Sequence, residues 1–200
     1  RSVFVPAKLG LPIRARGIAV WSRWPDTNRR HIMGAHGQEA LQAALERVQR
    51  SRVSSVADDL FRKGIAIAFG EPSEFVGELA NAIASFRLTP ATRPPATPDR
   101  PPEIRFNPKF LQEDPRVLAA ALVHEGTHFQ QFLDGALLRS DRSDVEVELA
   151  AWWNEAAFWD EARASLWPLE SALEQEVEFA YRAALRGEAA LRDLLQSLRR

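Results

Sequence analysis

The sequence contains no cysteine, and only one methionine and one tyrosine. The lack of cysteine excludes disulfide bonds, thiolate metal ligands and cysteine nucleophiles. No apolar run approaches the roughly eighteen residues that a membrane-spanning helix needs. The longest such run near the most informative motif of the chain is Val117–Val123. We therefore expect no membrane span, and any metal site must use histidine and carboxylate side chains.

Positive and negative charges are unevenly distributed, although the net charge is only −1. Residues 1–63 hold 12 Lys and Arg against 5 Asp and Glu, whereas residues 64–200 hold 14 against 22. The simpler interpretation is that the two parts attract each other within one fold; the alternative is a basic region that contacts an acidic partner. No basic cluster is dense enough to indicate nucleic-acid binding. We expect most carboxylates of the acidic stretch 141–178 to lie on a solvated face.

The strongest chemical signal is the pattern His-Glu-x-x-His, which begins at His124 and ends at His128. Two histidines four residues apart lie on the same face of a helix, roughly 6 Å from each other. That spacing lets both imidazoles bind one zinc ion. Glu125 follows the first histidine and points to the open side of the metal, where it can act as a general base towards water.

The residues around the motif predict a buried helix. Asp114 suits the N-cap, and Pro115 suits the first helical position, where its missing N–H has no partner to lose. The apolar run that precedes the motif has no polar face, which is typical of an interior helix. Asp134 and Gly135 provide a stop, because glycine readily adopts the left-handed turn after a helix.

His124-Glu125-x-x-His128 with a downstream glutamate resembles the gluzincins, a group of zinc metallopeptidases, over roughly residues 60 to 160. In that family the third protein ligand is a glutamate on a second helix, about twenty residues after the second histidine, and Glu148 stands at that distance. Glu146 is the alternative ligand if the second helix begins one residue away from its expected start. The two glutamates point about 200° apart on a helix, so only one of them can face the metal.

The resemblance implies a zinc-dependent peptidase in which Glu125 is the general base and the substrate is a peptide or protein. Members of the family often stabilise the oxyanion with a residue from beyond the glutamate helix, and Tyr181 is the candidate here. Many gluzincins also place an aspartate four residues after the ligand glutamate, where it orients a histidine. That position holds Trp152, so Glu155 or a backbone carbonyl would take over this role. This departure motivates the alternative of a non-catalytic zinc-binding protein with a zincin fold, acting as a binding or regulatory module.

We expect an α+β fold with a zincin-like minimal metalloprotease core, in which a small sheet packs on the active-site helix and the glutamate helix. Residues 1–200 would form one domain, with an N-terminal extension at 1–37, a catalytic core at 38–160 and a helical C-terminal part at 161–200. Apart from the motif helix, the expected elements are helices at Gln38–Lys63 (broken between Ser51 and Ser55), at Ser143–Leu166 and after residue 169 (broken at Gly187), and strands at Ile65–Phe69, Ile83–Leu88 and Glu103–Asn107.

Three further segments have weaker signals. Ile18–Trp21 could form a strand, and Arg23–Gly37 is typical of a loop whose two histidines, His31 and His36, are solvated. Residues 89–102 contain six prolines and predict a loop, either a plain surface loop or a flap over the cleft.

In the gluzincins an edge strand beside the active helix holds the peptide substrate. This strand could correspond to Ile104–Phe106 or to Ile83–Leu88 here. The tryptophans and phenylalanines of the second helix are expected to pack in the core rather than to line a pocket. Because the chain begins at Arg1 rather than at Met, we expect that it has been trimmed, and the location stays open between cytoplasmic and exported. The sequence does not determine the oligomeric state.

Overall fold

The computed structural model describes residues 35–63, 65–77, 82–87, 102–138, 144–163 and 171–198. In these ranges the chain is an α+β protein, mostly helical, with a small mixed sheet. Its elements are α1 (Ala35–Gln49), α2 (Ser54–Lys63), β1 (Ala66–Phe69), β2 (Ala84–Arg87), β3 (Glu103–Phe106), α3 (Pro115–Leu133), α4 (Asp144–Ala162), α5 (Ala172–Leu185) and α6 (Glu188–Ser197).

The expected elements after residue 38 are present, with ends that differ by a few residues. The helical pattern does break between α1 and α2, where Ser51 Oγ donates to the carbonyl of Val48. The expected loop Arg23–Gly37 is wrong at its end, because α1 already begins at Ala35 and Gly37 is buried within its first turn. The predicted strand Ile18–Trp21, His31 and residues 89–101 of the proline-rich segment lie outside the described residues.

The three strands form a sheet in the order β1-β3-β2. β1 runs parallel to β3, and β2 runs antiparallel to it with Phe86 opposite Ile104. β3 is therefore the central strand, and both of its edges are paired. Of the two strands considered for holding a substrate, Ile104–Phe106 is excluded for this reason. β2 has β3 as its single neighbour within the described part of the sheet.

One face of the sheet carries buried charges. Arg87 of β2 pairs with Glu74 and contacts Ser85, and Arg105 of β3 donates to Glu103 at 2.8 Å. The side chain of Glu103 is fully buried, and one of its oxygens, Oε1, has no hydrogen-bond partner. A carboxylate in this position is costly to ionise, because the interior solvates charge poorly.

The motif helix α3 lies at the centre of the fold. As predicted, it begins after an Asp114 cap, whose side chain accepts from Arg116 N, and Pro115 occupies the first helical position. Every residue from 117 to 129 is buried. Its neighbours are α1, α2, α4 and β2. The ring of Phe86 lies 6.1 Å from the rings of both Phe129 and Phe132, so aromatic contacts join β2 to the helix.

α2 approaches α3 at the glycine inside the motif. A Cβ atom on Gly126 would lie 2.3 Å from Val56 Cγ1 and 3.3 Å from Leu60 Cδ1. Carbon atoms in non-bonded contact stand about 3.5–4.0 Å apart, so no side chain fits there. The glycine in the middle of His-Glu-Gly-Thr-His thus has a packing role that is independent of metal chemistry.

The acidic stretch 141–178 is solvated only in part. Of its carboxylates with a described burial, four are exposed (Glu146, Asp160, Glu161 and Glu176) and four are buried (Glu148, Glu155, Glu174 and Glu178). Glu178 is buried because it accepts from Trp159 Nε1 and from the guanidinium groups of Arg163 and Arg182. α5 and α6 are separated at Gly187, as predicted, and this residue has φ of 101°. Within the described ranges, none of the helices combines the length and the apolar character needed to cross a membrane.

We expect Gly126→Ala to destabilise the protein by about 1–3 kcal/mol, since the new methyl group overpacks the contact with α2. Urea denaturation of the variant and the wild type measures this change. In a Val56→Ala background the clashing methyl group is gone. Gly126→Ala should then lower the free energy of unfolding by clearly less than it does in the wild type. An equal cost in both backgrounds would show that the contact is not responsible.

We expect Glu103 to make stability depend on pH. Burial raises the pKa of Glu103 to about 7, against the opposing effect of Arg105 and Arg87. Between about pH 4.5 and 7 the folded state therefore keeps a proton that the unfolded state has lost, and stability falls as pH rises through this window.

Glu103→Gln cannot titrate. The loss of stability between pH 5 and pH 7.5 should thus be smaller by about 2 kcal/mol in this variant than in the wild type. Urea denaturation at both pH values, in the same metal state, provides the comparison. Glu188→Gln removes an exposed carboxylate on α6 and serves as the control. Equal pH dependence of Glu103→Gln and the wild type would contradict the prediction.

Candidate metal centre

The structure brings His124, His128 and Glu148 together in the core. Their donor atoms lie within 4.8 Å of one another, and the exposed fraction of each residue is 2% or less. His124 Nε2 lies 3.2 Å from His128 Nε2 and 3.3 Å from Glu148 Oε2. His128 Nε2 lies 3.4 Å from Glu148 Oε1. α3 supplies the two histidines, as their spacing predicted, and α4 supplies the glutamate, as the resemblance to the gluzincins implied.

The other ring nitrogen of each histidine is held by an acceptor. His124 Nδ1 lies 2.8 Å from Glu155 Oε2, and His128 Nδ1 lies 2.9 Å from Gln131 Oε1. Because these oxygens accept, each Nδ1 atom carries a proton, and in the neutral form of each ring the lone pair is left on Nε2. The two lone pairs and the Glu148 carboxylate then converge, so the centre requires a positive charge between them.

The pKa values of His124 and Glu148 also indicate that a positive charge stabilises this centre. Burial acts to lower the pKa of His124, but the adjacent carboxylates of Glu148 and Glu155 outweigh burial and place the pKa well above its ordinary value. Burial acts to raise the pKa of Glu148, but His128 and His124 outweigh it and hold the pKa below its usual range. A proton and a metal ion therefore compete for this centre.

The donor set fits zinc. Ligands at the usual zinc distances and tetrahedral angles stand about 3.3 Å apart, which is close to the three separations above. Glu148 Oε2 is buried and has no hydrogen-bond partner, as expected for an oxygen that binds a metal. Two neutral imidazoles and one carboxylate match the preference of zinc for nitrogen and oxygen ligands, and three protein ligands leave one position open. Other divalent metals that take nitrogen and oxygen ligands meet the same preferences.

Glu125 lies beside the centre and contacts the sheet. Its Oε2 accepts from the backbone N–H of Phe86 in β2 at 2.6 Å. The side chain is buried, and burial raises its pKa, with His124 and His128 acting in the opposite direction. The carboxylate is thus held between the metal ligands and the outer strand of the sheet.

The remaining sequence candidates lie elsewhere. Glu146 is exposed, whereas Glu148 is buried, so the geometry favours Glu148. The hydroxyl of Tyr181 donates to Asp160, and this pair is not part of the ligand cluster. His36 lies in the first turn of α1, where the structure describes only its backbone.

Trp152 stands where many gluzincins have an aspartate, and its ring packs edge-on to the ring of His124 with centroids 5.5 Å apart. Of the two alternatives for orienting this histidine, Glu155 makes the contact. Most large aromatics of α4 are buried, as expected for core packing, but Trp153 is 41% exposed.

Sequence reasoning missed three contacts at the centre. The first is Gln131, whose position one turn after His128 was a signal that could have been read. The second is the backbone N–H of Phe86. The third is the bond from Asn154 Nδ2 to Thr127 Oγ1 at 3.0 Å, which ties the motif to α4. The last two depend on chain segments whose approach no local pattern indicates.

Comparison of the chain with protein-family models, with curated proteins and with solved structures gave no match.

We expect the purified protein to contain about one zinc ion per chain, the stoichiometry of one three-ligand site. Elemental mass spectrometry on protein purified without added zinc measures this content. His128→Ala and Glu148→Gln each remove a ligand and should abolish it. Glu146→Gln changes the exposed neighbour on the same helix and should retain it. Loss of metal in Glu146→Gln with retention in Glu148→Gln would reverse the assignment of the third ligand.

Proposed function

We propose that the protein is a zinc-dependent metallopeptidase of the gluzincin type, with His124, His128 and Glu148 as the metal ligands. The observation that carries this proposal is the convergence of two imidazole lone pairs and a buried carboxylate, with a second carboxylate, Glu125, fixed beside them. When bound, zinc supplies Lewis-acid activation of water and of a carbonyl group. A purely structural site would need no open position and no such neighbouring base.

Glu125 is the proposed general base. It follows a ligand histidine on α3, and the bond to Phe86 N–H holds its carboxylate in one orientation. In this position it takes a proton from the attacking water and later delivers it to the leaving amine. The surrounding core excludes bulk water, which strengthens the electrostatic interactions of the site.

β2 is the proposed strand that holds the substrate. It is an outer strand of the described sheet, and its Phe86 packs on Phe129 and Phe132 of α3. An extended peptide could add to such an edge through backbone hydrogen bonds. Phe86 N–H is bonded to Glu125, so a bound peptide would use the other backbone groups of this edge and would lie next to the base. The order of elements, with three strands before the motif helix and the glutamate helix after it, also agrees with a zincin-like core.

The alternative is a zinc-binding module without catalysis. The observation in its favour is that the hydroxyl of Tyr181, the predicted oxyanion donor, is bonded to Asp160. This alternative predicts zinc content without turnover of any peptide by the wild-type protein.

We expect Glu125→Gln to lower the rate of peptide hydrolysis by at least about 10²-fold, as for loss of a general base. The amide keeps the size of the side chain but cannot take up the proton. Hydrolysis of a peptide library, followed by mass spectrometry, provides the measurement.

The zinc content of Glu125→Gln, measured on the same samples, should equal that of the wild type. Undiminished hydrolysis by the variant would contradict the role of Glu125. A zinc-loaded wild-type protein that cleaves no peptide would favour the non-catalytic alternative.

A further inference from the structure

Gln131 uses both ends of its side-chain amide at the centre. It lies on α3, three residues after His128, and is 7% exposed. Its Oε1 lies 2.9 Å from His128 Nδ1, and its Nε2 donates to the carbonyl of Val147 in α4 at 2.8 Å. Neither contact follows from the His-Glu-x-x-His motif.

The contact with Val147 determines which way the amide points. A backbone carbonyl can only accept, so the NH₂ group of Gln131 must face Val147. The amide oxygen must then face His128, and Nδ1 of that histidine must carry its proton. Nε2 of His128 is therefore the nitrogen that faces Glu148 and His124 and is left to bind a metal ion. This arrangement fixes the tautomer through the protein and not through the metal.

The same amide connects two of the three ligands. Val147 directly precedes Glu148 on α4, so the bond to its carbonyl holds the backbone that carries the third ligand. One side chain on α3 thus orients His128 and ties α3 to the segment of Glu148. Asn154 and Thr127 make a further link between these helices, but neither of them contacts a ligand side chain.

The neutral charge of Gln131 also suits the site. The centre already contains three buried carboxylates, those of Glu125, Glu148 and Glu155. Glu155 accepts from His124 with a charged carboxylate, whereas Gln131 accepts from His128 with a neutral amide and so adds no fourth buried carboxylate. Burying another charge would add a desolvation cost, which an amide avoids.

We infer that Gln131 is a positioning residue of the metal centre, which raises metal affinity by fixing the Nδ1–H form of His128 and the approach of α4. This inference rests on the metal centre of the proposed function, but not on peptide hydrolysis.

The test is the zinc dissociation constant, measured by competition with a chromophoric chelator. Gln131→Met keeps the length of the side chain but loses both hydrogen bonds, and it should weaken zinc binding about 10- to 100-fold, the usual effect of removing a ligand's hydrogen-bond partner. Gln131→Glu retains an acceptor for His128 Nδ1 but loses the donor to Val147 and adds a buried charge, so it should weaken zinc binding less than Gln131→Met does. If Gln131→Glu weakened zinc binding as much as Gln131→Met does, the role of the acceptor would be overturned.

Gln130→Met is the matched control. Gln130 is the preceding residue of the same helix, and its Nε2 donates to Asp59 on α2, away from the ligands. This variant should lose a comparable hydrogen bond yet keep the zinc affinity of the wild type. An equal loss of affinity in Gln130→Met and Gln131→Met would show that general destabilisation explains the effect.

The wild-type protein gives a second measurement if Gln131→Met does not fold. In long-range ¹H–¹⁵N correlation spectra of the metal-free protein, Nδ1 of His128 should carry a proton that exchanges slowly with solvent. A bare Nδ1 with the proton on Nε2 would overturn the inference. Absence of zinc binding by the wild type would instead remove the metal centre itself, whereas equal affinity of the wild type and Gln131→Met would remove only the role of Gln131.

Discussion

The fold depends on burying two imidazole lone pairs and a carboxylate at one point between α3 and α4. Each of these groups is unfavourable in a protein interior unless it is paired. His124 and His128 are each held at Nδ1 by a buried acceptor, and Glu148 faces both of their Nε2 atoms. Apart from Glu125, Glu155, Gln131 and Thr127, the core around them is apolar. A cation between these groups therefore stabilises the polar centre, and α3 and α4 pack around this position.

α3 can hold this polar centre because its neighbours pack closely against it on several sides. α2 presses on Gly126, α4 brings the glutamate, and β2 supplies the amide that holds Glu125. Close packing of this kind restricts the ligands to a single arrangement. The charged face of the sheet, with Arg87 anchored to Glu74, holds β2 from the opposite side. The position of the base is thus determined by the sheet and that of the ligands by the helices.

The sequence pattern predicted those features that depend only on residues close to one another along the chain. The apolar run, the Asp114 cap and the spacing of His124 and His128 require no knowledge of the rest of the fold, and all three are found in the structure. Glu148 came from a resemblance, and its burial agrees with that choice. The burial of Glu178 was missed because two of its partners, Trp159 and Arg163, come from an earlier segment of the chain. The packing role of Gly126 was missed because α2 approaches from another part of the chain, and no periodicity reports such an approach.

The origin of the ligands along the chain has a consequence for the order of folding. His124, His128 and Glu148 come from two consecutive helices, and contacts between neighbouring elements form with little loss of chain entropy. The bond from Phe86 to Glu125 joins residues 39 positions apart, and Arg52 reaches Ala157 across 105 positions. A folding intermediate that contains only the α3–α4 hairpin would already hold the three ligands. The orientation of the base would be completed later, when the sheet docks.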